Sequence, residues 1–127
     1  MSTTLTTGGF NSPKVYRDTT FTNVVVGVSS ASSELTGWNI INNDTASVYV
    51  KFFDVASSGT VTLGTTAPVK VLQVPANSTV YMEHRFRESQ YYFQNGISAV
   101  SVSGLADSST VAPGTATYIE VYYKTSQ

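Results

Sequence analysis

The stretch Ala46-Ser-Val-Tyr-Val-Lys-Phe-Phe-Asp54 decides the fold class, because its side chains fall into two alternating sets. One set is Val48, Val50 and Phe52, and the other is Tyr49, Lys51 and Phe53. A repeat of two residues is the period of a β-strand, in which successive side chains point to opposite faces. The run Leu35–Asn42 precedes it, and Asn42-Asn43-Asp44 between them is a strong turn signal. Together these segments predict a β-hairpin.

The same pattern of short β-forming runs between turn signals continues along the chain. It predicts seven strands, over residues 23–30, 35–42, 46–54, 68–74, 79–87, 96–104 and 116–124. No window shows a helical period over three turns, so a sheet with crossover helices is excluded. We therefore expect an all-β fold, an antiparallel β-sandwich of Greek-key or jelly-roll type with about seven to eight strands.

The 127 residues suit one domain, and we expect its sandwich to span residues 23–127. Residues 1–22 are rich in threonine and carry Gly8-Gly9 and Pro13, which favours an extended N-terminal arm outside the core. Two interpretations of the arm remain open: it is disordered, or it docks on a neighbouring subunit.

Composition excludes several functional classes. The chain has no cysteine, so disulfide scaffolds, thiol catalysis and cysteine-based zinc sites are ruled out. Only 12% of the residues are charged and the net charge is −1, which argues against a phosphate-tracking nucleic-acid surface. No apolar run approaches the length of a membrane span, and the first ten residues do not form a secretory signal. A surface this poor in charge suits a protein that packs against neighbours.

Catalytic chemistry has little to build on. His84 is the only histidine, and its place in the alternation of strand 79–87 predicts a partly buried structural role. The eight carboxylates are scattered over strand ends and loops, and no serine stands in a nucleophile elbow. We expect a protein that is not an enzyme, with no catalytic residues, no bound metal and no cofactor.

The most distinctive segment is the charge cluster Glu83-His-Arg-Phe-Arg-Glu88, followed by Tyr91-Tyr92-Phe93. Arginine pairs carboxylates through its planar fork, and tyrosine is enriched at protein interfaces. This segment predicts a contact surface between subunits, made by Glu83, Arg85, Arg87, Glu88, Tyr91 and Tyr92. A solvated strand end is the simpler interpretation of the charges.

A wider set of motifs resembles small structural proteins of tailed bacteriophages. It comprises Trp38-Asn-Ile-Ile-Asn-Asn-Asp-Thr-Ala-Ser-Val-Tyr-Val-Lys-Phe-Phe-Asp54, Thr65-Thr-Ala-Pro-Val69, Val74-Pro-Ala76 and Phe93-Gln-Asn-Gly-Ile-Ser-Ala-Val-Ser101. The resemblance covers about residues 35–123 and implies a β-sandwich virion component. Several such proteins are capsid decoration or cement proteins, often trimers, so it implies a homotrimer bound to the major capsid protein. The expected location is the virion surface, after synthesis in the host cytoplasm.

Two other functions stay open from the residues alone. One is a tail or baseplate component of the same class of virion. The other is a carbohydrate-binding module, in which Trp38 and tyrosines such as Tyr91, Tyr92 and Tyr122 would stack on sugar rings. The position of Trp38 in mid-strand beside Ile40 favours the core instead.

Overall fold

The computed structural model describes residues 2–6, 14–82 and 91–125, and the regular secondary structure of this part of the chain is almost entirely β-strand. It contains ten strands and a single 3-10 turn at Ser58–Thr60. The strands are β1 Ser2–Thr6, β2 Lys14–Phe21, β3 Val26–Ser29, β4 Ser33–Asn42, β5 Val48–Phe53, β6 Lys70–Val74, β7 Ser78–Met82, β8 Tyr91–Phe93, β9 Ile97–Val102 and β10 Thr117–Thr125.

The strands form two antiparallel sheets. The larger sheet runs β1-β2-β10-β4-β7, and the short strand β8 pairs with β4 beyond the end of β7. The smaller sheet runs β3-β9-β5-β6. Every pairing in both sheets is antiparallel. The predicted all-β antiparallel sandwich is therefore confirmed.

The order of the strands resolves the choice between Greek-key types. Leaving out β1 and β8, eight strands remain. Numbered one to eight along the chain, these strands lie in the order 1-8-3-6 across the larger sheet and 2-7-4-5 across the smaller sheet. This is the order of a jelly roll. The described chain adds β1 at one edge and β8 at the other.

The predicted hairpin around Asn42-Asn43-Asp44 is wrong. Strand β4 lies in the larger sheet and β5 in the smaller one, so the turn carries the chain from one sheet to the other. The buried side chain of Asn42 explains the crossing. Its amide donates to the carbonyls of Ala46, Val74 and Pro75, at 2.9, 3.1 and 3.1 Å, which ties the turn to the end of β6.

The predicted boundary between arm and sandwich at residue 22 also needs correction. Residues 14–21 form β2, which lies between β1 and β10 inside the larger sheet. Tyr16 and Phe21 on this strand are buried, at 5% and 1% exposure. The buried rings of β2 are five positions apart, and the segment around the strand is rich in threonine. Local composition therefore indicated an arm where the fold uses a core strand.

Two apolar clusters stabilise the molecule. The main core lies between the sheets and includes Trp38, Ile40, Phe52 and the inward residues of β10. Strand β10, predicted over residues 116–124, alternates strictly: Ile119, Val121 and Tyr123 are buried, while the residues between them are half-buried. A second cluster covers the outer side of the smaller sheet and comprises Phe53, Val100 and Val102, with Val25, Tyr49, Val55, Val61 and Leu63 packed against them.

Candidate interaction surface

The outer side of the larger sheet carries a row of polar side chains that crosses four strands. Glu120 on β10 is the register partner of Arg17 on β2 and of Asn39 on β4. Asn39 is in turn the partner of Tyr81 on β7. Residues paired directly across antiparallel strands point to the same face, so the four side chains share one surface.

Glu120 is the centre of this surface. Tyr118 and Tyr122 lie two residues before and after it on β10, so all three side chains point outward. Both phenols donate to the carboxylate: Tyr118 to Oε2, and Tyr122 to Oε1 at 2.8 Å. Two hydroxyls that are bound in this way lose rotational freedom before any partner arrives, and the rings are held in place.

Arg17 completes the arrangement. Its guanidinium carbon lies 5.3 Å from the centroid of the Tyr118 ring, and its Nε donates to the Tyr118 hydroxyl at 3.0 Å. The same Nε is 3.8 Å from Oε2 of Glu120. The positive and negative charges therefore lie side by side, and the face is locally neutral.

Electrostatics follow from these contacts. The hydrogen bond from Tyr118 lowers the pKa of Glu120, with further contributions from Tyr122, Asn39 and Arg17 that outweigh the effect of burial. Burial raises the pKa of Tyr122, and its bond to Glu120 raises it further. Glu120 is thus held ionised and Tyr122 protonated, which keeps the hydrogen-bond donors and acceptor in their bonded forms.

Two exposed tyrosines extend the surface. Tyr81 is 61% exposed, and Tyr92 on β8 is 60% exposed and pairs in register with Glu34 of β4. We call the outward-facing set Tyr81, Tyr92, Tyr118 and Tyr122 the tyrosine face. Tyrosine combines apolar area with a hydrogen-bonding tip, so several exposed tyrosines on one face suit contact with a partner.

The predicted interface residues separate in the structure. Tyr92 belongs to the tyrosine face. Tyr91 does not: its ring is half-buried, 5.9 Å from the ring of Trp38, and Lys70 Nζ lies 4.4 Å from its centroid. Four further predicted residues, Glu83, Arg85, Arg87 and Glu88, lie outside the described part of the chain, as does His84.

Trp38 belongs to the main core, with 5% of its surface exposed. Its indole Nε1 is buried without a hydrogen-bond partner among the described residues. A tryptophan in this position has no open ring face for a sugar, so the exposed tyrosines are the only part of the predicted glycan platform that the fold presents outward in the described residues.

Sequence reasoning missed most of this surface. It did not select Arg17, Asn39, Tyr81, Tyr118 or Glu120, although the repeat Tyr118-x-Glu120-x-Tyr122 was visible as the outward set of a strand. The register joins Glu120 to Arg17, which is 103 positions earlier in the chain, and to Asn39, which is 81 positions earlier. Alternation within one strand carries no information about that register.

The described residues contain no group of three or more side chains that could hold a metal ion, and no helix with the length and apolar character to cross a bilayer. The carboxylate of Glu120 is already bonded by two phenols. What the arrangement offers is a neutral, pre-ordered contact surface. Comparison of the chain with protein-family models, curated proteins and solved structures found no match.

Proposed function

We propose that the protein is a non-enzymatic virion structural protein, a capsid decoration or cement protein that binds the head of a tailed phage. The tyrosine face carries the proposal as the surface that contacts the major capsid protein. The phage-like motifs between residues 35 and 123 support the same function. Jelly rolls serve in both viral capsids and lectins, so the fold alone does not select it.

The chemistry of the tyrosine face suits a protein interface. Binding energy at interfaces is concentrated in a few residues, and tyrosine is enriched among them. Tyr118 and Tyr122 are already ordered by Glu120, which reduces the entropy lost on binding. The charge of Arg17 is compensated by Glu120 within the same molecule, so covering the face leaves no isolated charge without a partner.

In this proposal the protein is made in the host cytoplasm and ends on the virion surface. Its partners are the major capsid protein and further copies of itself, and the phage resemblance implies a homotrimer. Neither nucleic acid nor membrane is a partner. A low surface charge supports tight packing on a shell, because few charged groups need to be desolvated.

The test is binding of the purified chain to emptied capsids of the phage that encodes it. The variant Tyr81→Ala/Tyr92→Ala removes the two most exposed rings, and we expect it to weaken capsid binding by at least about tenfold. The control is Leu105→Ala/Val111→Ala, which truncates two side chains of similar exposure on the loop between β9 and β10. Binding that is absent in the wild type, or equal in all three proteins, contradicts the proposal.

Carbohydrate binding is the second candidate, favoured by the register that places Tyr81 beside Asn39 and two strands from Glu120. An exposed ring beside planar polar side chains is a common way to hold a neutral sugar. A glycan array with the wild type and the Tyr81→Ala/Tyr92→Ala variant tests it, and a signal must be lost in the variant.

Imaging of virions labelled at the C-terminus separates a head from a tail or baseplate location.

A further inference from the structure

The larger sheet has an edge at β1 that has no pairing partner among the described residues. Within the described part of the chain β1 pairs with β2 alone, in a register that runs from Ser2 opposite Asp18 to Thr6 opposite Lys14. The other side of β1 therefore presents backbone N–H and C=O groups that need partners. Such an edge is a template for another β-strand.

Natural edge strands usually carry a charge, a proline or an irregularity that prevents this pairing, and β1 carries neither a charge nor a proline. Its sequence Ser-Thr-Thr-Leu-Thr contains no charge and no proline. The edges of the smaller sheet differ: β6 begins with Lys70 and lies between Pro68 and Pro75, and β3 has only four residues with an irregular register. Charge, proline and irregularity are the features that block edge pairing.

We infer that β1 is a self-association strand, which pairs antiparallel with β1 of a second copy of this chain about a two-fold axis. Two copies of the same uncharged strand meet without repulsion between like charges. A two-fold contact is closed, since each copy uses the same edge, and the result is a continuous sheet of two larger sheets.

The direction of the strands favours this pairing over a ring. Four successive antiparallel pairings separate β1 from β7, so the two edges of the larger sheet run in the same direction. A ring that joined β1 of one copy to β7 of the next would need parallel pairing, which is less stable per residue and rare outside buried sheets. The inference does not rest on the proposed function, and it gives a two-fold dimer in place of the homotrimer that the phage resemblance implies.

The experiment is analytical ultracentrifugation of the full chain over a range of concentrations. Thr3 lies at the middle of the paired segment of β1, as the register partner of Arg17. We expect the wild type to form dimers, and Thr3→Lys and Thr3→Glu each to raise the dissociation constant by at least about fivefold. An equal mixture of the two variants should recover dimerisation, because unlike charges on the same face of the joined sheet then attract across the contact.

Two controls separate edge pairing from other effects. Thr19→Lys adds the same charge at an exposed position of β2 and should leave the dimer unchanged. In a strand, neighbouring residues direct their N–H groups to opposite edges, so one of Thr3→Pro and Thr4→Pro should abolish the dimer while thermal stability is kept. The other should lower stability, since it removes a bond to β2.

A wild type that stays monomeric at all concentrations overturns the inference. So does a trimer, or a dimer that none of the β1 variants weakens. Because these measurements use the isolated chain, a negative result leaves the proposed capsid binding standing. Loss of capsid binding by Tyr81→Ala/Tyr92→Ala with an intact dimer likewise leaves the β1 pairing standing.

Discussion

Tyr122 donates a 2.8 Å hydrogen bond to Oε1 of Glu120, two residues earlier on the same strand. The bond does not span the fold: it joins neighbours on one face of β10. Its importance comes from position, since Glu120 also lies beside Arg17 and Asn39 on the adjacent strands. The hydrogen bond therefore fixes the Glu120 carboxylate at the centre of the polar row that crosses the sheet.

The first prediction concerns acid stability. The pKa of Glu120 is lowered in the fold, so its contribution is fully present above its ordinary value of 4.5 and is lost as the pH falls below it. We expect Glu120→Gln to lower the free energy of unfolding by about 1 kcal/mol at neutral pH, as for one or two weakened hydrogen bonds. The difference from wild type should shrink towards about pH 3.

Urea unfolding between about pH 7 and pH 3 measures this dependence. Glu34→Gln, on the neighbouring strand β4, is the matched control, and the pH dependence of its stability should follow the wild type more closely. A Glu120→Gln variant that loses stability in parallel with the wild type over the whole range would show that the bonds to Glu120 do not favour its ionised form.

The second prediction concerns the turn at Asn42, which is fully buried. Asn42→Ala leaves the carbonyls of Ala46, Val74 and Pro75 without their shared donor, and the backbone N–H of Asp44 without its 2.9 Å acceptor. An unsatisfied buried group costs about 1–3 kcal/mol, and the bond to Val74 is buried while the other three are partly buried, so we expect a loss of about 2–3 kcal/mol. Asn43→Ala, at the exposed next position, should change stability by less than about 0.5 kcal/mol. Equal melting temperatures for the two variants would refute the role of Asn42.

The third prediction follows from the corrected boundary of the N-terminal segment. Deletion of residues 1–13 should leave a folded protein, whereas deletion of residues 1–22 removes β2 with the buried rings of Tyr16 and Phe21 and should prevent folding. Phe21→Ala alone should cost about 3–5 kcal/mol, typical of an emptied aromatic site in a core. Near-UV circular dichroism and thermal unfolding report both outcomes. A cooperative transition in the chain lacking residues 1–22 would mean that β2 is dispensable after all.

The fourth prediction concerns Lys51, which is 1% exposed on β5. Its Nζ donates to the carbonyl of Ala106 at 2.6 Å, and burial lowers its pKa below the ordinary value of 10.5, although Asp107 opposes the shift. The unfolded chain then binds more protons than the folded one in this range, so the contribution of Lys51 to stability rises as the pH approaches 10.5. Lys51→Met should remove that rise.

Stability curves between about pH 7 and pH 10 test this dependence, with Lys124→Met as a control at a half-buried lysine. The range stops near the ordinary pKa of Tyr122, 10.0, because the raised pKa of that phenol acts in the opposite direction at higher pH. An unchanged slope in Lys51→Met would exclude Lys51 as its source.

Local pattern predicted the strands well where apolar residues alternate strictly, as in β5 and β10. It failed at the Asn42–Asp44 turn, because the same residues close a hairpin or carry the chain between sheets. The choice depends on Val74 and Pro75, some thirty residues away, which accept from the Asn42 amide. It also failed for β2, whose core residues Tyr16 and Phe21 are spaced too widely to show a period.

The sequence by itself determined that this chain is an antiparallel β-sandwich. Alternating side chains and turn residues are local signals, and most of the strands show them within a few positions. It also selected Tyr92, whose side chain the fold leaves exposed on the tyrosine face. Only the tertiary structure decided the jelly-roll order, the place of β2 in the core and the tyrosine face around Glu120. The physical reason is register: pairing between strands far apart in the chain determines which outward side chains become neighbours, and no single strand encodes that pairing.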